Sequence, residues 1–479
     1  MIKVLSVTSE CAPLVKTGGL ADVAGALPGA LAEHGVQMRT LLPGYPVVMA
    51  ALGKTKLLFE EPDLFGGKAR ILSATIGALE LIIIDAPHLY NRPGSIYLGP
   101  DGKDWPDNPA RFAALSWVAA LIGAKSAKGW LPNVIHCHDW QAGFVTDYLD
   151  DMLPKGARRP GTMMTIHNMA FQGLVDATAL DDLHLRSARL QRSGFEFWGK
   201  ISALKAGLTG ADRLTTVSPT YAAEIMREEF GMGLHGVMHE RRDVLHGILN
   251  GIDEQVWDPA TDPNIATFKT PQGKKRAKAA LRRALGLPKA DGPLCVVITR
   301  LTSQKGLDML LDAVPALTAR GGQLALLGSG DPALEAAFTK LAETNPNVSV
   351  TIGYDEPFSH RLMAGGDAIL VPSRFEPCGL TQLYGLRYGT VPVVALTGGL
   401  ADTVINASPA ALASGCATGI QFYPVAFEPF ERALIQLCDL FSLGAPFTKI
   451  QKNAMRSPVG WSASAAQYVR LYKEIAPQE

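Results

Sequence analysis

The sequence predicts an α/β protein of two Rossmann-like, doubly wound domains that face each other across a deep cleft. The first observation is the regular alternation of short β-rich runs with helical stretches along the 479 residues. The second is that several runs are continuously apolar, as parallel strands buried on both faces should be. The third is that the rhythm breaks once, between Gly251 and Gly292, where prolines precede a basic helix. A boundary near the start of this break divides the chain into residues 1–245 and 246–457.

Six strands are predicted in each domain, separated by helices. In the first domain they cover residues 3–8, 38–42, 79–85, 134–137, 162–166 and 213–217. In the second they cover residues 294–299, 323–327, 348–352, 368–371, 391–395 and 419–422. Helical patterns lie between them, for example at residues 307–319 and 332–343. Ligands of such sheets bind at the carboxyl ends of the strands, so we expect functional loops to follow strands.

Composition excludes several classes of protein. Hydrophobic residues make up 47% of the chain, which is enough to bury sizeable cores and too much for a disordered protein. Lys+Arg and Asp+Glu both number 45, so we expect no nucleic-acid partner and interpret the basic helix at residues 274–283 as a solvated face. The longest apolar stretch, residues 112–124, is too short to span a bilayer and predicts a buried helix, so no membrane partner is expected.

The cysteines and the start of the chain indicate a cytoplasmic protein. The six cysteines are scattered and form no CxxC pair, which is typical of reduced thiols. Residues 1–5 lead directly into a strand pattern without a secretory signal. We therefore expect a large cytoplasmic enzyme.

Cationic loops follow the first strand of each predicted domain. Gly18 and Gly19 let the backbone approach a ligand closely, while Lys16 and the N-terminus of the next helix favour an anion. The segment is neither a phosphate loop of the GxxxxGK[ST] type nor a GxGxxG fingerprint. In the second domain, Arg300 and Lys305 suit a diphosphate leaving group. The alternatives are a glycine turn with a surface lysine and a structural ion pair.

A carboxylate follows another strand of the second domain. Glu376 precedes a helix predicted to start near Cys378, and it could hold sugar hydroxyls or stabilise positive charge. The backbone N–H groups of Cys378, Gly379 and Leu380 could bind other hydroxyls or a phosphate. The alternative for Glu376 is a charge that stabilises the helix N-terminus. No base is adjacent to Cys378, so a packing or backbone role is preferred to that of a nucleophile.

Histidines and acids end two strands of the first domain. His136, His138 and Asp139 end one strand and His167 ends the next, where polar side chains point towards the ligand. The histidine pair could indicate a metal, as could His235 with a second histidine four residues later, but neither pair has a clear third ligand. With no DxD pair either, the sequence predicts a reaction that needs neither metal nor cofactor.

Taken together, these motifs resemble the family of bacterial glycogen synthases and plant starch synthases. The matching blocks are KTGGLADV (16–23), HDW (138–140), IHN (166–168), LNGID (249–253), RLTSQKG (300–306), SRFEPCGLTQ (373–382) and TGGLADT (397–403). The resemblance covers nearly the whole chain, and this order and spacing are very specific. It implies a fold of the GT-B type and a C-terminal segment, residues 458–479, that packs back on the first domain.

The resemblance also implies substrates and residue roles. The expected donor is ADP-glucose and the acceptor is glycogen or another α-1,4-glucan primer, extended with retention of configuration. Lys16, Arg300 and Lys305 would bind the diphosphate, while Glu376 and His167 would lie at the donor glucose. The remaining implied substrate contacts are Gly18, Gly19, Asp139, Asn250, Tyr354 at adenine, Cys378, Gly379, Leu380, Thr381 and, at the acceptor, Tyr97.

Two positions depart from related patterns. Tyr384 stands where many related retaining transferases have a second Glu, which favours the glycogen and starch synthase branch. Leu396 stands where many members carry an Arg, so a minor donor contact is in doubt. The rival interpretations are a dehydrogenase, a non-catalytic glucan-binding protein, and a related GT-B transferase that uses UDP-glucose or another acceptor.

Overall fold

The chain forms two compact units in the computed structural model, which describes residues 1–477. Unit 1 combines Met1–Asn250 with the segment that begins at Trp461, and unit 2 is Gly251–Gly460. The boundaries predicted from the sequence, after residues 245 and 457, lie a few residues earlier. All six cysteines are free, and only Cys416 is exposed. Among the described residues, no helix is long and apolar enough to cross a membrane.

Unit 1 contains twelve strands and eight helices before the C-terminal segment of the chain. The strands are β1 (Ile2–Val7), β2 (Val36–Pro43), β3 (Lys56–Glu61), β4 (Ala69–Ile76), β5 (Leu79–Asp85), β6 (Val134–His138), β7 (Gly161–Ile166), β8 (Leu174–Asp176), β9 (Glu196–Phe197), β10 (Lys200–Ser202), β11 (Arg213–Thr216) and β12 (Leu245–Gly247). The helices are α1 (Gly19–Ala32), α2 (Pro46–Ala51), α3 (Pro87–Tyr90), α4 (Asn108–Lys125), α5 (Val145–Met152), α6 (Ala203–Gly210), α7 (Pro219–Glu224) and α8 (His235–Glu240).

The large sheet of unit 1 is doubly wound, as predicted, but it is not purely parallel. Its strand order is β12-β11-β7-β6-β1-β2-β5-β4-β3, and strands β12 to β5 are parallel. The last two strands at one side of the sheet, β4 and the edge strand β3, run antiparallel and were not predicted. Only two residues, of which Gly77 has a φ of +57°, join β4 to β5, and so short a connection permits a hairpin and no crossover.

The direction of winding changes between β1 and β6. Central strand β1 pairs with β2 on one side and with β6 on the other. The loops that follow β1 and β6 therefore leave the sheet side by side, which is where doubly wound sheets bind ligands. A separate three-stranded sheet, in the order β8-β10-β9, escaped sequence prediction because its strands have only two or three residues.

Unit 2 contains six strands and nine helices. The strands are β13 (Leu294–Ile298), β14 (Gln323–Gly328), β15 (Val348–Ile352), β16 (Ala368–Val371), β17 (Val391–Ala395) and β18 (Ile420–Phe422). The helices are α9 (Lys274–Ala284), α10 (Leu307–Thr318), α11 (Pro332–Thr344), α12 (Glu356–Gly365), α13 (Thr381–Tyr388), α14 (Gly398–Thr403), α15 (Pro409–Ser414), α16 (Phe427–Ser442) and α17 (Ala445–Ala454).

The sheet of unit 2 has the strand order of a dinucleotide-binding fold. All its strands are parallel and follow the order β15-β14-β13-β16-β17-β18, which is 3-2-1-4-5-6 in chain order. Every residue of β14, β16 and β17 is buried, which explains why all of them except Gln323 are apolar. The six predicted strands are confirmed, and the switch of direction falls between β13 and β16.

The chain ends on unit 1 with helix α18 (Ser462–Ile475). Buried Tyr468 and Tyr472 join Leu27 of α1 and Val4 of β1 in one core cluster. The hydroxyl of Tyr472 shares a hydrogen bond of 2.8 Å with His136 Nδ1. The predicted segment 458–479 ends in two residues that lie outside the described residues.

One cation of the basic helix is buried, contrary to the prediction of a solvated face. Lys274, at the start of α9, is 4% exposed, whereas Lys275 is exposed. Its ammonium donates to four oxygens at 2.8–3.1 Å, namely the carbonyls of Met363, Ala364 and Tyr388 and the hydroxyl of Thr390. The side chain thereby ties α9 to the ends of α12 and α13.

We expect Lys274→Met to destabilise unit 2 by about 3 kcal/mol, because buried carbonyls lose their donor. Urea unfolding of the full chain, followed by tryptophan fluorescence, to which Trp257 in the hydrophobic core of unit 2 contributes, measures the change. The neighbouring Lys275→Met is the control and should leave the midpoint unchanged. Equal midpoints for both variants would contradict this role.

Candidate active site

Two loops of unit 2 meet at the switch point because β13 and β16 are neighbours. The first runs from Arg300 to Gly306 and the second from Ser373 to Leu380. Arg374 joins them: its backbone N–H donates to Gln304 O at 2.8 Å, and its guanidinium binds Asp308 with two hydrogen bonds of 2.7 and 2.6 Å. Sequence reasoning missed Arg374 and Asp308, since only the paired strands bring residues this far apart in sequence together.

Lys305 and Glu376, two predicted catalytic residues, form an ion pair at this junction. Lys305 Nζ lies 2.5 Å from Glu376 Oε2, and the side chains are 15% and 11% exposed. Ser373 Oγ donates to the same oxygen at 2.8 Å. Arg300, at the start of the first loop, is exposed. The ion pair proposed as the alternative for the cationic loop therefore exists, and it holds a cation and an anion at the place where a ligand should bind.

Glycines allow these loops to approach so closely. Gly306 has a φ of +67°, and a Cβ there would lie 2.1 Å from Pro372 O. Gly398 has a φ of +45°, and a Cβ there would lie 1.9 Å from Glu376 O. Neither position tolerates a side chain, so the backbone beneath Glu376 is fixed from both sides.

The helix after Glu376 begins later than predicted. α13 starts at Thr381 and not near Cys378, because Gly379 has a φ of +69°, which a right-handed helix cannot contain. The amide of Gln382 donates to the carbonyls of Cys378 and Gly379 at 3.0 and 2.8 Å and so holds the turn. Cys378 is 6% exposed, which agrees with a packing role.

Tyr354 and the Lys305–Glu376 pair follow different strands of the unit 2 sheet. Tyr354 follows β15, the edge strand, which is two strands away from β13. The side chain is 68% exposed, and its hydroxyl donates to Glu356 at 3.1 Å.

In unit 1, the loop after β1 is organised by Glu10, which the sequence analysis missed. The carboxylate is 3% exposed and accepts hydrogen bonds from the backbone N–H groups of Thr17 and Gly18 at 2.6 and 3.2 Å. It also accepts the hydroxyl proton of Tyr97 at 2.6 Å. The predicted Gly18 and Tyr97 are thus brought together through one acid, and Gly19 follows as the first residue of α1. The sequence feature that could have identified Glu10 is its position between the end of β1 and the glycine pair.

Lys16 stands at the exposed edge of the same loop. Its ammonium pairs with Asp22, in the first turn of α1, at 2.7 Å, and its side chain is 31% exposed. Exposed pairs of this kind contribute little to stability, so the lysine can exchange its partner for another anion at small cost.

Asp139 and His167 meet at the ends of β6 and β7. Asp139 Oδ1 accepts the backbone N–H of His167 at 2.6 Å and that of Asn168 at 3.4 Å. Burial raises the pKa of the Asp139 carboxyl to about 7, although these hydrogen bonds act to lower it. Asp139 has a φ of +53°, a strained backbone conformation of the kind that is concentrated at functional sites.

The histidines at the ends of β6 and β7 form a hydrogen-bonded chain. His138 Nδ1 and His167 Nε2 are 3.0 Å apart, and His138 Nε2 contacts Ser6 Oγ at 3.2 Å. Burial lowers the pKa of His136 and of His167 to about 3, so both are neutral at pH 7. Among residues 1–477, no group of three or more His, Cys, Asp or Glu side chains is arranged to hold a metal ion.

Asn250 ends unit 1 as a buried side chain with unused hydrogen-bonding capacity. It is 7% exposed, and its Oδ1 accepts no hydrogen bond within the described part of the chain. Buried amide oxygens are rarely left without a donor, so this atom is available to a ligand hydroxyl.

Comparison with known proteins relates both units to glycosyltransferase families. Residues 3–240 match the family described as starch synthase catalytic domain, and residues 292–438 match glycosyl transferases group 1. A glycogen synthase of Paracoccus denitrificans is 60% identical over 476 residues, which cover 99% of this chain and all of that protein. One from Jannaschia sp. is 57% identical over 476 residues, again 99% of this chain and all of that protein.

Solved structures share the fold of this chain. The catalytic domain of starch synthase IV from Arabidopsis thaliana, bound to ADP and acarbose, superposes with a TM-score of 0.91 at 31% identity, and the match covers 100% of both chains. A sucrose-phosphate synthase from Thermosynechococcus elongatus shares the fold, with a TM-score of 0.61 at 19% identity over 99% of both chains.

Proposed function

Because the chain belongs to the family of glycogen and starch synthases, we propose that it transfers glucose from ADP-glucose to the non-reducing-end 4-hydroxyl of an α-1,4-glucan. The observation that carries this proposal is the pairing of Lys305 with Glu376 at the switch point of the unit 2 sheet. The starch synthase that superposes on the whole chain was solved with ADP and acarbose, which supports a nucleotide donor and a glucan acceptor.

The leaving group is the diphosphate of ADP. As the bond between glucose and phosphate breaks, negative charge grows on the β-phosphate while the sugar becomes oxocarbenium-like. Lys305 and Arg300 stabilise the negative charge, and backbone N–H groups at the start of α13 add donors. These cations supply positive charge from the protein itself, and we propose that neither metal nor cofactor is required.

Glu376 binds the donor glucose and does not act as a nucleophile on its anomeric carbon. Its Oε2 already accepts hydrogen bonds from Lys305 and Ser373, which lowers its nucleophilicity and fixes its direction. Retention by double displacement would need a free carboxylate beneath the anomeric carbon. We therefore favour attack of the acceptor on the face that the phosphate leaves, with the phosphate taking the proton of the 4-hydroxyl.

Unit 1 contributes two groups of substrate contacts. Lys16 turns from Asp22 to the diphosphate, at the small cost of a surface ion pair. His167, neutral and held by His138 and Asp139, positions the donor sugar. Tyr97, fixed by its hydrogen bond to Glu10, contacts the acceptor.

Glucose transfer to a glycogen primer, with ADP-glucose and UDP-glucose compared at equal concentration, tests the proposal. We expect strong incorporation from ADP-glucose that survives EDTA and is abolished in Glu376→Ala. Transfer from UDP-glucose alone would assign the chain to another donor while preserving the mechanism. A folded protein that transfers glucose from neither donor would overturn the proposal.

A further inference from the structure

Unit 2 contains a cavity that lies apart from its two ligand-binding loops. The cavity has a volume of about 410 Å³, which is within the range of small-molecule sites. Three parts of the chain line it, namely the segment 258–271, the last turn of α13 and the C-terminal end of α17. All three belong to unit 2, so the cavity is formed within one compact unit.

Helix α13 separates this cavity from the candidate active site. The helix begins at Thr381, directly after the Ser373–Leu380 loop, and has Arg387 in its last turn. Its eight residues span about 12 Å. A helix that joins two parallel strands runs back towards their amino ends. The cavity therefore lies at the end of unit 2 opposite Lys305 and Glu376, and it is a second, distinct place for a ligand.

Positive charge dominates the wall of the cavity. Four cations line it, against a single acid, Asp258; the cations are Lys269, Arg387, Lys452 and Arg456. Arg387 pairs with that acid at 3.2 Å. Within residues 1–477, the other three cations form no ion pair. Three positive charges thus line one cavity without a counter-ion, although the chain as a whole is electrically neutral.

The cations of α17 repel one another. Lys449, Lys452 and Arg456 are spaced three and four residues apart, which places them on one face of the helix and of the turn that follows it. Like charges at this spacing destabilise a helix. Lys449 lines a second cavity, of about 500 Å³, which shares Lys452 and Arg456 with the first. An anion bound between these side chains would relieve their repulsion.

The helix dipole explains only part of this cluster. Cations are favoured near a helix C-terminus, which accounts for Lys452 and Arg456 at the end of α17. Lys269 lies outside any helix and lines the same cavity from the segment 258–271. The convergence of cations from separate segments on one concave surface is what a site for an anionic ligand requires.

We propose that this cavity binds a small phosphorylated molecule. Lys and Arg bind phosphate oxygens through charge-assisted hydrogen bonds. Phe268 and Met455 line the cavity beside the cations, and such a partly apolar wall suits the carbon skeleton of a phosphate ester better than a bare ion. The site is independent of the proposed function, because none of its lining residues belongs to the candidate active site.

K452M/R456M is the decisive variant, because both side chains are exposed and their loss should not disturb the fold. Isothermal titration calorimetry with glycerol 3-phosphate on the full chain measures binding. We expect the Kd to rise at least about tenfold in this variant. R320M/K340M, which removes an exposed arginine and an exposed lysine that do not line the cavity, is the matched control and should keep the wild-type Kd.

Two further variants decide where the ligand binds. Lys269→Met approaches the cavity from the other segment and should also raise the Kd, which keeps the test valid if K452M/R456M fails to fold. Lys305→Met, in the candidate active site, should leave the Kd unchanged. A Kd that rises in Lys305→Met and not in the cavity variants would overturn the inference, because the ligand would then occupy the active site.

The choice of ligand is tested on the wild type at constant ionic strength. Glycerol 3-phosphate should bind more tightly than inorganic phosphate or sulfate. No binding of glycerol 3-phosphate at millimolar concentrations would overturn the inference, as would equal affinity for sulfate, which would show only general attraction of anions. Loss of binding in the cavity variants would support the site even in a chain that transfers no glucose, so this inference and the proposed function can fail separately.

Discussion

Replacing Lys305 with methionine is expected to lower kcat by about 10²–10³, the usual cost of removing one group that stabilises developing negative charge. Methionine keeps most of the length of the side chain and removes the ammonium, with its charge and its hydrogen-bond donors. ADP release with saturating glycogen measures the rate. Lys340→Met, on the exposed face of α11, removes an equal charge elsewhere in unit 2 and should leave kcat unchanged.

The ion pair with Glu376 requires a second variant. Lys305→Met also leaves the Glu376 carboxylate without its cation, so part of the loss could arise from a displaced acid. The double variant K305M/E376Q removes both charges and keeps the hydrogen bond to Ser373 possible. If Lys305 acts directly on the diphosphate, Lys305→Met lowers kcat further when it is added to Glu376→Gln. A double variant as fast as Glu376→Gln alone would show that Lys305 acts only through Glu376.

Sequence patterns predicted the elements whose burial dominates their composition. The inner strands of unit 2 are buried and appear as largely apolar runs, namely β13, β14, β16 and β17, and all six strands of its sheet were located. The antiparallel strands β3 and β4 and the short hairpin of β9 and β10 were missed. Their side chains are partly exposed, so the local sequence carries a weaker signal. The comparisons confirm the predicted GT-B fold class and the resemblance to glycogen and starch synthases.

The candidate site was predictable where function follows from position at a strand end. Arg300, Lys305, Glu376, Asp139 and His167 were all selected because they follow strands. Glu10, Arg374 and the contact of His138 with His167 were missed, because their roles depend on which strands are neighbours. That information is contained in the strand order, which short-range patterns do not encode.

Substitution of Asp139 is expected to cause the second large loss of activity, because Asp139 fixes the backbone of His167. Asp139→Ala removes the acceptor of the His167 N–H and is expected to lower kcat about 10²-fold, the cost of misplacing a reacting group by about 1 Å. Asp139→Gly removes the same acceptor but relieves the strain at a φ of +53°. Similar rates in both variants would assign the loss to the missing acceptor, and a near wild-type rate in Asp139→Gly would contradict it.

The stability of Asp139→Asn reports on the charge of the same group. The pKa of the carboxyl is raised to about 7 in the folded chain, so the folded state binds a proton more tightly than the unfolded state. The stability that this provides is fully present below pH 4 and is lost as the pH rises through 7. Asn keeps an oxygen acceptor, tolerates positive φ and does not ionise. The melting temperature of Asp139→Asn should therefore rise relative to the wild type as the pH increases from 5 to 8. A difference in melting temperature that does not change with pH would mean that the carboxylate remains charged beside His167 throughout this range.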